Sequence, residues 1–248
     1  MASIEISEQH GVRYLHFGSD WVQGAMRIAR PWSLELEYTR EMMLPLLLRE
    51  ERGWPAHVLQ IGLGSASLTK FLHRHRPRAR ITVVEIVPEV VAAARQFFKL
   101  PEESARLRIA IGDGHDFVAA KRRQFDLILV DGFDEEGRTG MLETQTFYLH
   151  CRERLGTRGM LAINLVDRRR GVTASVDRIR NAFDDRVLVL PPCEAGNIVA
   201  LAAAGEPVRD SYRGLKASAL MLKADTGLDL LPTLERLIEA RGGDELAL

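Results

Sequence analysis

The chain has 248 residues, 34 Lys and Arg against 34 Asp and Glu, 46% hydrophobic residues and 27% charged ones. That apolar share excludes an intrinsically disordered chain, and the length allows one or two domains whose core needs no disulfide or metal. Zero formal net charge speaks against a protein that lives on nucleic acid, because phosphate binding runs on excess Lys and Arg.

The first ten residues carry charge where a secretory signal would need its apolar stretch. The run from Met42 to Leu48 falls far short of the ~20 apolar residues of a membrane span. Cys151 and Cys193, 42 positions apart, fit no zinc or redox spacing and are expected as buried thiols of a reducing, cytoplasmic protein. No nucleic-acid or membrane partner is expected.

Residues 3–30 read as three short strands, Ile4 to Ile6, Val12 to Phe17 and Val22 to Ile28, separated by His10-Gly11 and Gly18-Ser19-Asp20. This predicts a small antiparallel meander. Leu34, Tyr38, Met42 and Leu46 then recur at helical spacing, predicting a linking helix over 34–51. A small N-terminal part, 1–50, is thus expected ahead of a larger domain, 51–248.

From Ala56 onward, apolar runs alternate with amphipathic stretches. His57–Ile61, Ile81–Val84, Leu107–Ile111, Phe125–Val130 and Gly159–Leu165 read as strands, each followed by a helical pattern. Near-continuous apolar strands between helices predict a parallel sheet covered on both faces. Arg186–Leu190 and Asn197–Ala202 are too close for a helical crossover, so a hairpin should bring an antiparallel strand into the sheet. The expected fold class is α/β, a Rossmann-like doubly wound sheet, which with such a hairpin resembles the S-adenosylmethionine-dependent transferase type. Residues 215–241 read as helical, broken near Gly227 and Pro232.

In such a sheet the ligand site lies beyond the carboxyl ends of the strands. After the first of these strands comes Gly62-Leu63-Gly64-Ser65-Ala66-Ser67, where two glycines let the backbone approach a ligand at a helix N-terminus. The second strand ends at Glu85, 21 residues after Gly64, where a carboxylate can accept both hydroxyls of a ribose; an acid favoured by the helix dipole is the plainer reading. Asp113, with Gly114, can accept from an adenine amino group, cap the helix that follows, or do both. Asp131 ends an apolar run, and Asp134 follows in a loop. Paired acids there suit a cationic substrate.

The blocks Tyr38-Thr39-Arg40-Glu41-Met42, Val58 to Gly64, Val84-Glu85-Ile86, Ile111-Gly112-Asp113-Gly114 and Phe125 to Asp134 resemble the spermidine/spermine synthase family, the polyamine aminopropyltransferases, in order and spacing. The resemblance runs from about Tyr14 to Gly205. It implies a transferase that moves an aminopropyl group from decarboxylated S-adenosylmethionine to an amine such as putrescine, releases methylthioadenosine, uses no metal and forms a homodimer. It also implies that Gln23, Gly62, Gly64, Glu85, Ile86, Asp113 and Gly114 hold the donor nucleoside. Asp131 would be the acid that orients the amine and acts as base, Tyr38 a catalytic-site tyrosine that helps hold that amine, and Asp134 an acceptor ligand.

Several positions depart from the family. The acid of the glycine motif that reads the donor's amine is replaced by Ser65, and the second acid after the ribose glutamate by Val87. Arg40 puts a cation in the Tyr38 block, and Pro191 to Gly196 replaces the family's tunnel segment. A class I methyltransferase using intact S-adenosylmethionine is the alternative, to which a neutral Ser65 is suited. A non-catalytic nucleoside-binding homologue is a third reading. Trp21 and Trp32 are read as lining an acceptor entrance or as packing, and Arg168-Arg169-Arg170 as a solvated loop.

Overall fold

The computed structural model describes residues 4–18, 21–51, 53–120, 124–134, 137–166 and 172–248. The tract Arg168-Arg169-Arg170 lies outside the described residues.

The N-terminal meander is present. β1 (Ile4–Gln9), β2 (Val12–Phe17) and β3 (Val22–Arg27) form an antiparallel sheet in that order. Gln9 pairs with Val12, leaving a two-residue hairpin of His10 and Gly11, both at positive φ. That turn geometry matches the right-handed twist of the flanking strands.

The linking segment departs from expectation. Instead of one helix over 34–51 there are two short ones, α1 (Glu37–Glu41) and α2 (Pro45–Leu48). Pro45 has no N–H to give the Glu41 carbonyl, so the chain tightens locally: Met43 and Leu44 donate to Arg40 and Glu41, three residues back. The spacing still served, since Leu34, Tyr38, Met42 and Leu46 are all buried.

The larger part alternates strand and helix: β4 (His57–Ile61), α3 (Ser67–His75), β5 (Arg80–Glu85), α4 (Pro88–Phe97), β6 (Leu107–Ile111), α5 (Gly114–Ala120), β7 (Phe125–Val130), α6 (Gln145–Arg154), β8 (Leu155–Val166), α7 (Thr173–Ala182), β9 (Val187–Val189) and β10 (Asn197–Ala203). The seven strands lie in the order β6-β5-β4-β7-β8-β10-β9. β10 runs antiparallel between β8 and β9, which is the hairpin expected from the short connection. β8 begins four residues earlier than its apolar run suggested. After the sheet come β11 (Arg209–Ser211), α8 (Tyr212–Thr226), α9 (Leu231–Arg241) and β12 (Glu245–Ala247). The β11–β12 ladder had no sequence signal, because three residues are too few to show a period of two.

Each sheet face has its own core. Ile61, Val84, Val130 and Ile163 pack with Phe147, Val176 and Phe183 beneath one face. On the other, Leu68 and Phe71 pack in a single cluster with Tyr38, Met42 and the meander residues Leu15, Phe17 and Met26. The meander therefore shares its core with the sheet it covers. Cys151 and Cys193 are buried and unbridged. No helix among the described residues is long and apolar enough to cross a membrane.

α1 is held from the far end of the chain. Arg236 of α9 pairs with Glu41, which has no exposure, and with Glu37 at 3.1 Å, and it donates to the Pro192 carbonyl at 3.1 Å. Glu37 also accepts the Glu194 N–H at 3.1 Å. Burial pushes Glu41 up to about 7 from 4.5, with Arg236 opposing the shift. The folded state thus binds this proton more tightly than the unfolded one, so stability should fall as pH rises from about 4.5 to about 7. Urea unfolding of wild type and Glu41→Gln across that range should show the wild type losing on the order of 2–3 kcal/mol relative to the variant. A pH-independent difference would mean that Arg236 keeps Glu41 ionised throughout.

Candidate active site

The site follows from register. Ile61 pairs with Val84 on one side and Val130 on the other, and Val130 pairs with Ile163. These four side chains enter one core, so the residues one step on, Gly62, Glu85, Asp131 and Asn164, line up facing the other way. Backbone bonds hold the row: Gly62 N–H to Val84 O at 2.9 Å, Asp131 N–H to Ile61 O at 2.9 Å and Gly112 N–H to Glu85 O at 2.9 Å.

Above this row lies a cavity of about 750 Å³. Every site residue named from the sequence lines it: Gln23, Tyr38, Gly62, Gly64, Glu85, Ile86, Asp113, Gly114, Asp131 and Asp134. So do Asn164 and Asn197, which the sequence reading missed. Asn164 did leave a signal, as a lone polar residue inside the apolar run Met160 to Leu165.

At the nucleoside end of the row, Glu85 accepts the Leu63 N–H at 2.8 Å on Oε2 and the Val87 N–H at 2.9 Å on Oε1. It clamps the glycine turn to the end of β5, and each oxygen retains a second acceptor site. Burial raises its pKa, and these backbone bonds oppose the rise. Ile86 is exposed beside it, an apolar platform at the cavity edge. Asp113 Oδ1 accepts the N–H groups of His115 at 2.7 Å and Asp116 at 3.3 Å, which is the capping role. Asp113, His115 and Asp116 bring ligand atoms within 4.8 Å of one another, an arrangement this cap and the His115–Asp116 contact explain.

At the other end, Asp131 receives a donor on each oxygen. Tyr38 O–H donates to Oδ2 at 3.2 Å and Asn164 Nδ2 to Oδ1 at 2.9 Å. Burial raises the Asp131 pKa, while both hydrogen bonds and the nearby Glu85 charge act on it in opposite senses, the bonds lowering it and the charge raising it. Tyr38 is driven well above its ordinary value, first by burial and then by Asp131, so it stays a donor.

Two departures resolve on geometry. Ser65 does not line the main cavity: it is buried against Gly24, bonded to Ser67 Oγ at 2.9 Å, and both serines reach the Ala25 carbonyl. Its hydroxyl seats β3 on the glycine turn, and the residue borders a small second pocket with Gln23, Tyr38 and Asp131. Arg40 also lies off the cavity, donating to the Leu34 and Glu35 carbonyls at 3.4 and 3.1 Å. Asp134 is engaged by Arg138, whose N–H and Nε both donate at 2.8 Å, so its charge enters the cavity as half of an ion pair. Trp21 lines the cavity, whereas Trp32 lies beneath the Arg74 guanidinium.

Sheet order, glycine turn and terminal acids are those of a doubly wound α/β fold with its cavity at the carboxyl ends of the strands. The spermine/spermidine synthase domain family matches residues 37–164. A polyamine aminopropyltransferase of Chromobacterium violaceum is 36% identical over 237 residues, 96% of this chain and 90% of that protein. The chain therefore belongs to the spermine/spermidine synthase family, and its enzyme type is that of the aminopropyltransferases. Among solved structures, a probable spermidine synthase from Corynebacterium glutamicum superposes with a TM-score of 0.75 at 19% identity, covering 97% of this chain and 91% of that one. Human methyltransferase-like protein 13 in complex with SAH gives 0.68 at 23% identity over 77% and 93%, so the sheet itself is common to both kinds of transferase.

Gly62 is the tightest point of the row. It adopts φ +87°, and a Cβ there would collide with the Asp131 carbonyl oxygen. Gly196 has a similar φ of +82° but open space around it. Gly62→Ala should cost at least about 2 kcal/mol more than Gly196→Ala, a further fall in Tm of roughly 4–8 °C by calorimetry. Equal losses would show that the β4–β7 contact yields without cost.

Proposed function

We propose that this protein transfers the aminopropyl group of decarboxylated S-adenosylmethionine to a small amine such as putrescine, with Asp131 as proton acceptor. The observation that carries this reading is the Asp131 carboxylate, held by Tyr38 and Asn164 in the same cavity as the glycine turn and Glu85.

In this reading Glu85 accepts the ribose hydroxyls, Ile86 covers a face of the adenine, and Asp113 with Gly114 meets its amino edge. Gln23 and Gly64 border the sulfur-bearing tail. The amine nitrogen attacks the propyl carbon beside the sulfonium. Its lone pair forms the N–C bond, the C–S electrons return to sulfur, and methylthioadenosine leaves. Near neutrality the amine arrives as an ammonium, so one proton must first pass to Asp131, directly or through water, to free that lone pair; the sulfonium charge then disappears as the attacking nitrogen becomes the product ammonium. Holding nitrogen and carbon in line supplies most of the acceleration. Asp131 suits this work because burial makes it more basic than an ordinary aspartate, while its two donors keep it aimed.

Asp134, tied to Arg138, acts on the acceptor as part of an ion pair at the rim. Buried free thiols support a cytoplasmic location, and exposed Leu220 and Met221 on α8 offer an apolar face for a homodimer. No metal enters any step of this mechanism.

Asp131→Asn should lower methylthioadenosine release with putrescine by about 10²–10⁴-fold and leave calorimetric donor affinity unchanged. Full activity in the variant would remove Asp131 from the chemistry. Side-by-side titration with decarboxylated and intact S-adenosylmethionine should favour the decarboxylated donor. Preference for the intact donor would move the protein to the methyltransferases, and binding without turnover of any amine would leave it a nucleoside-binding homologue.

A further inference from the structure

Asn164 sits at 2% exposure in an otherwise apolar stretch of β8, so both ends of its amide need partners. Nδ2 donates to Asp131 Oδ1 at 2.9 Å, and Oδ1 accepts from Asn197 Nδ2 at 3.0 Å. The β8–β10 register explains the second contact. Asn164 pairs with Val199, which puts Asn197, two residues away on the same face, at its diagonal. Asn197 Oδ1 lies 4.0 Å from Cys193 Sγ, which donates to it.

A primary amide can sit either way round, and the two ends differ in consequence. Turned over, Asn164 would set its oxygen against the Asp131 carboxylate and its NH₂ against the NH₂ of Asn197. The Asp131 carboxylate, which can only accept, already favours the NH₂ end of Asn164, and the Asn197 NH₂ on the oxygen end reinforces that choice. We propose that Asn164 is a positioning residue for the reaction, holding Asp131 ionised and aimed at the amine, and that Asn197 orients Asn164 for that purpose. This inference rests on the reading of Asp131 as proton acceptor.

The surroundings leave Asn164 a clear part. Tyr38 of α1 donates to the other carboxylate oxygen, and Glu85 at the end of β5 adds a like charge that disfavours ionisation. On the loop that Asp131 begins, Asp134 and Arg138 are paired with each other, and the Cys193 thiol faces Tyr38 from the 191–196 segment. The Asn164 bond opposes the rise that burial imposes on Asp131.

The test compares Asn164→Leu and Asn197→Leu, both close in size to Asn and without donors, with wild type. In Asn164→Leu the acid limb of the kcat–pH profile should move up by about one pH unit, so that kcat on that limb falls on the order of tenfold at a given pH. Donor affinity should not change, which also reports folding. Asn197→Leu should shift the limb in the same direction by less, because Asn164 then loses only the donor that steadies its oxygen end. If Asn164→Leu fails to fold, Asn197→Leu alone decides. A lower kcat with an unmoved acid limb in the folded variants would overturn the proposal, leaving Asn164 a packing residue. The carboxyl-carbon NMR titration of Asp131, assigned with Asp131→Asn, reads the same shift without turnover. If wild type transfers nothing, the activity assignment fails by itself, and an unshifted Asp131 midpoint in the variants would separately overturn this one.

Discussion

Parallel register is the constraint on which this site depends. Hydrogen bonds between β5, β4, β7 and β8 fix Val84, Ile61, Val130 and Ile163 side by side, and all four must bury beneath one face. Side chains alternate along a strand, so the next residues have no choice of face. Glu85, Gly62, Asp131 and Asn164 are thereby brought into a row at the strand ends. A one-residue slip in any strand would remove its member from the row and expose a core side chain. The placement of the site's acids is thus a by-product of the strongest packing in the molecule.

The same row has to accommodate two carboxylates in one cavity, and the structure separates them by giving each its own donors. Glu85 is satisfied by main-chain N–H groups, which ties it to the turn between β4 and α3. Asp131 is satisfied by side chains, Tyr38 from α1 and Asn164 from β8, which ties it to the elements around it. Between them, Gly62 has room only for hydrogen because the Asp131 carbonyl presses against it. The meander completes the enclosure. Ser65 and Ser67 anchor the Ala25 carbonyl, drawing β3 across the glycine turn and bringing Gln23 to the cavity. A serine that looks in sequence like a missing ligand therefore serves as a hinge-pin between sheet layers.

Much of the fold was legible because its strands are long and apolar. Five strands of the sheet, the hairpin carrying β10 and the meander were all recoverable from period and turn chemistry. The linking helix was misjudged where Pro45 interrupts the hydrogen-bond ladder without disturbing apolar spacing. β11 and β12 were silent because three-residue strands carry no period. At the site, residues following glycine-rich turns or ending apolar runs could be named, since those positions have few other reasons to hold an acid. Asn197 could not, because a single Asn at a strand start reads like any turn residue. Arg40 and Ser65 were given a place in the cavity by their position in a motif, but neither side chain lines it.

Sequence by itself determined the α/β class, the strand ends that bear acids and glycines, and the resemblance to the aminopropyltransferases. These are local properties: apolar period, backbone freedom at glycine, and the order of short motifs along the chain. Only the tertiary structure decided which side chains hold Asp131, what Ser65 and Arg40 do, and that Asp134 is matched by Arg138. Those outcomes depend on which of two ends a buried amide presents, and on which carbonyl or carboxylate lies nearest a long side chain. For Asp131 and Ser65 these partners are distant in sequence and meet only in the folded chain: Tyr38 lies 93 residues from Asp131, and Ala25 lies 40 from Ser65. Arg40 and Arg138 find theirs within six residues, through a loop or helix-end geometry that apolar spacing does not encode.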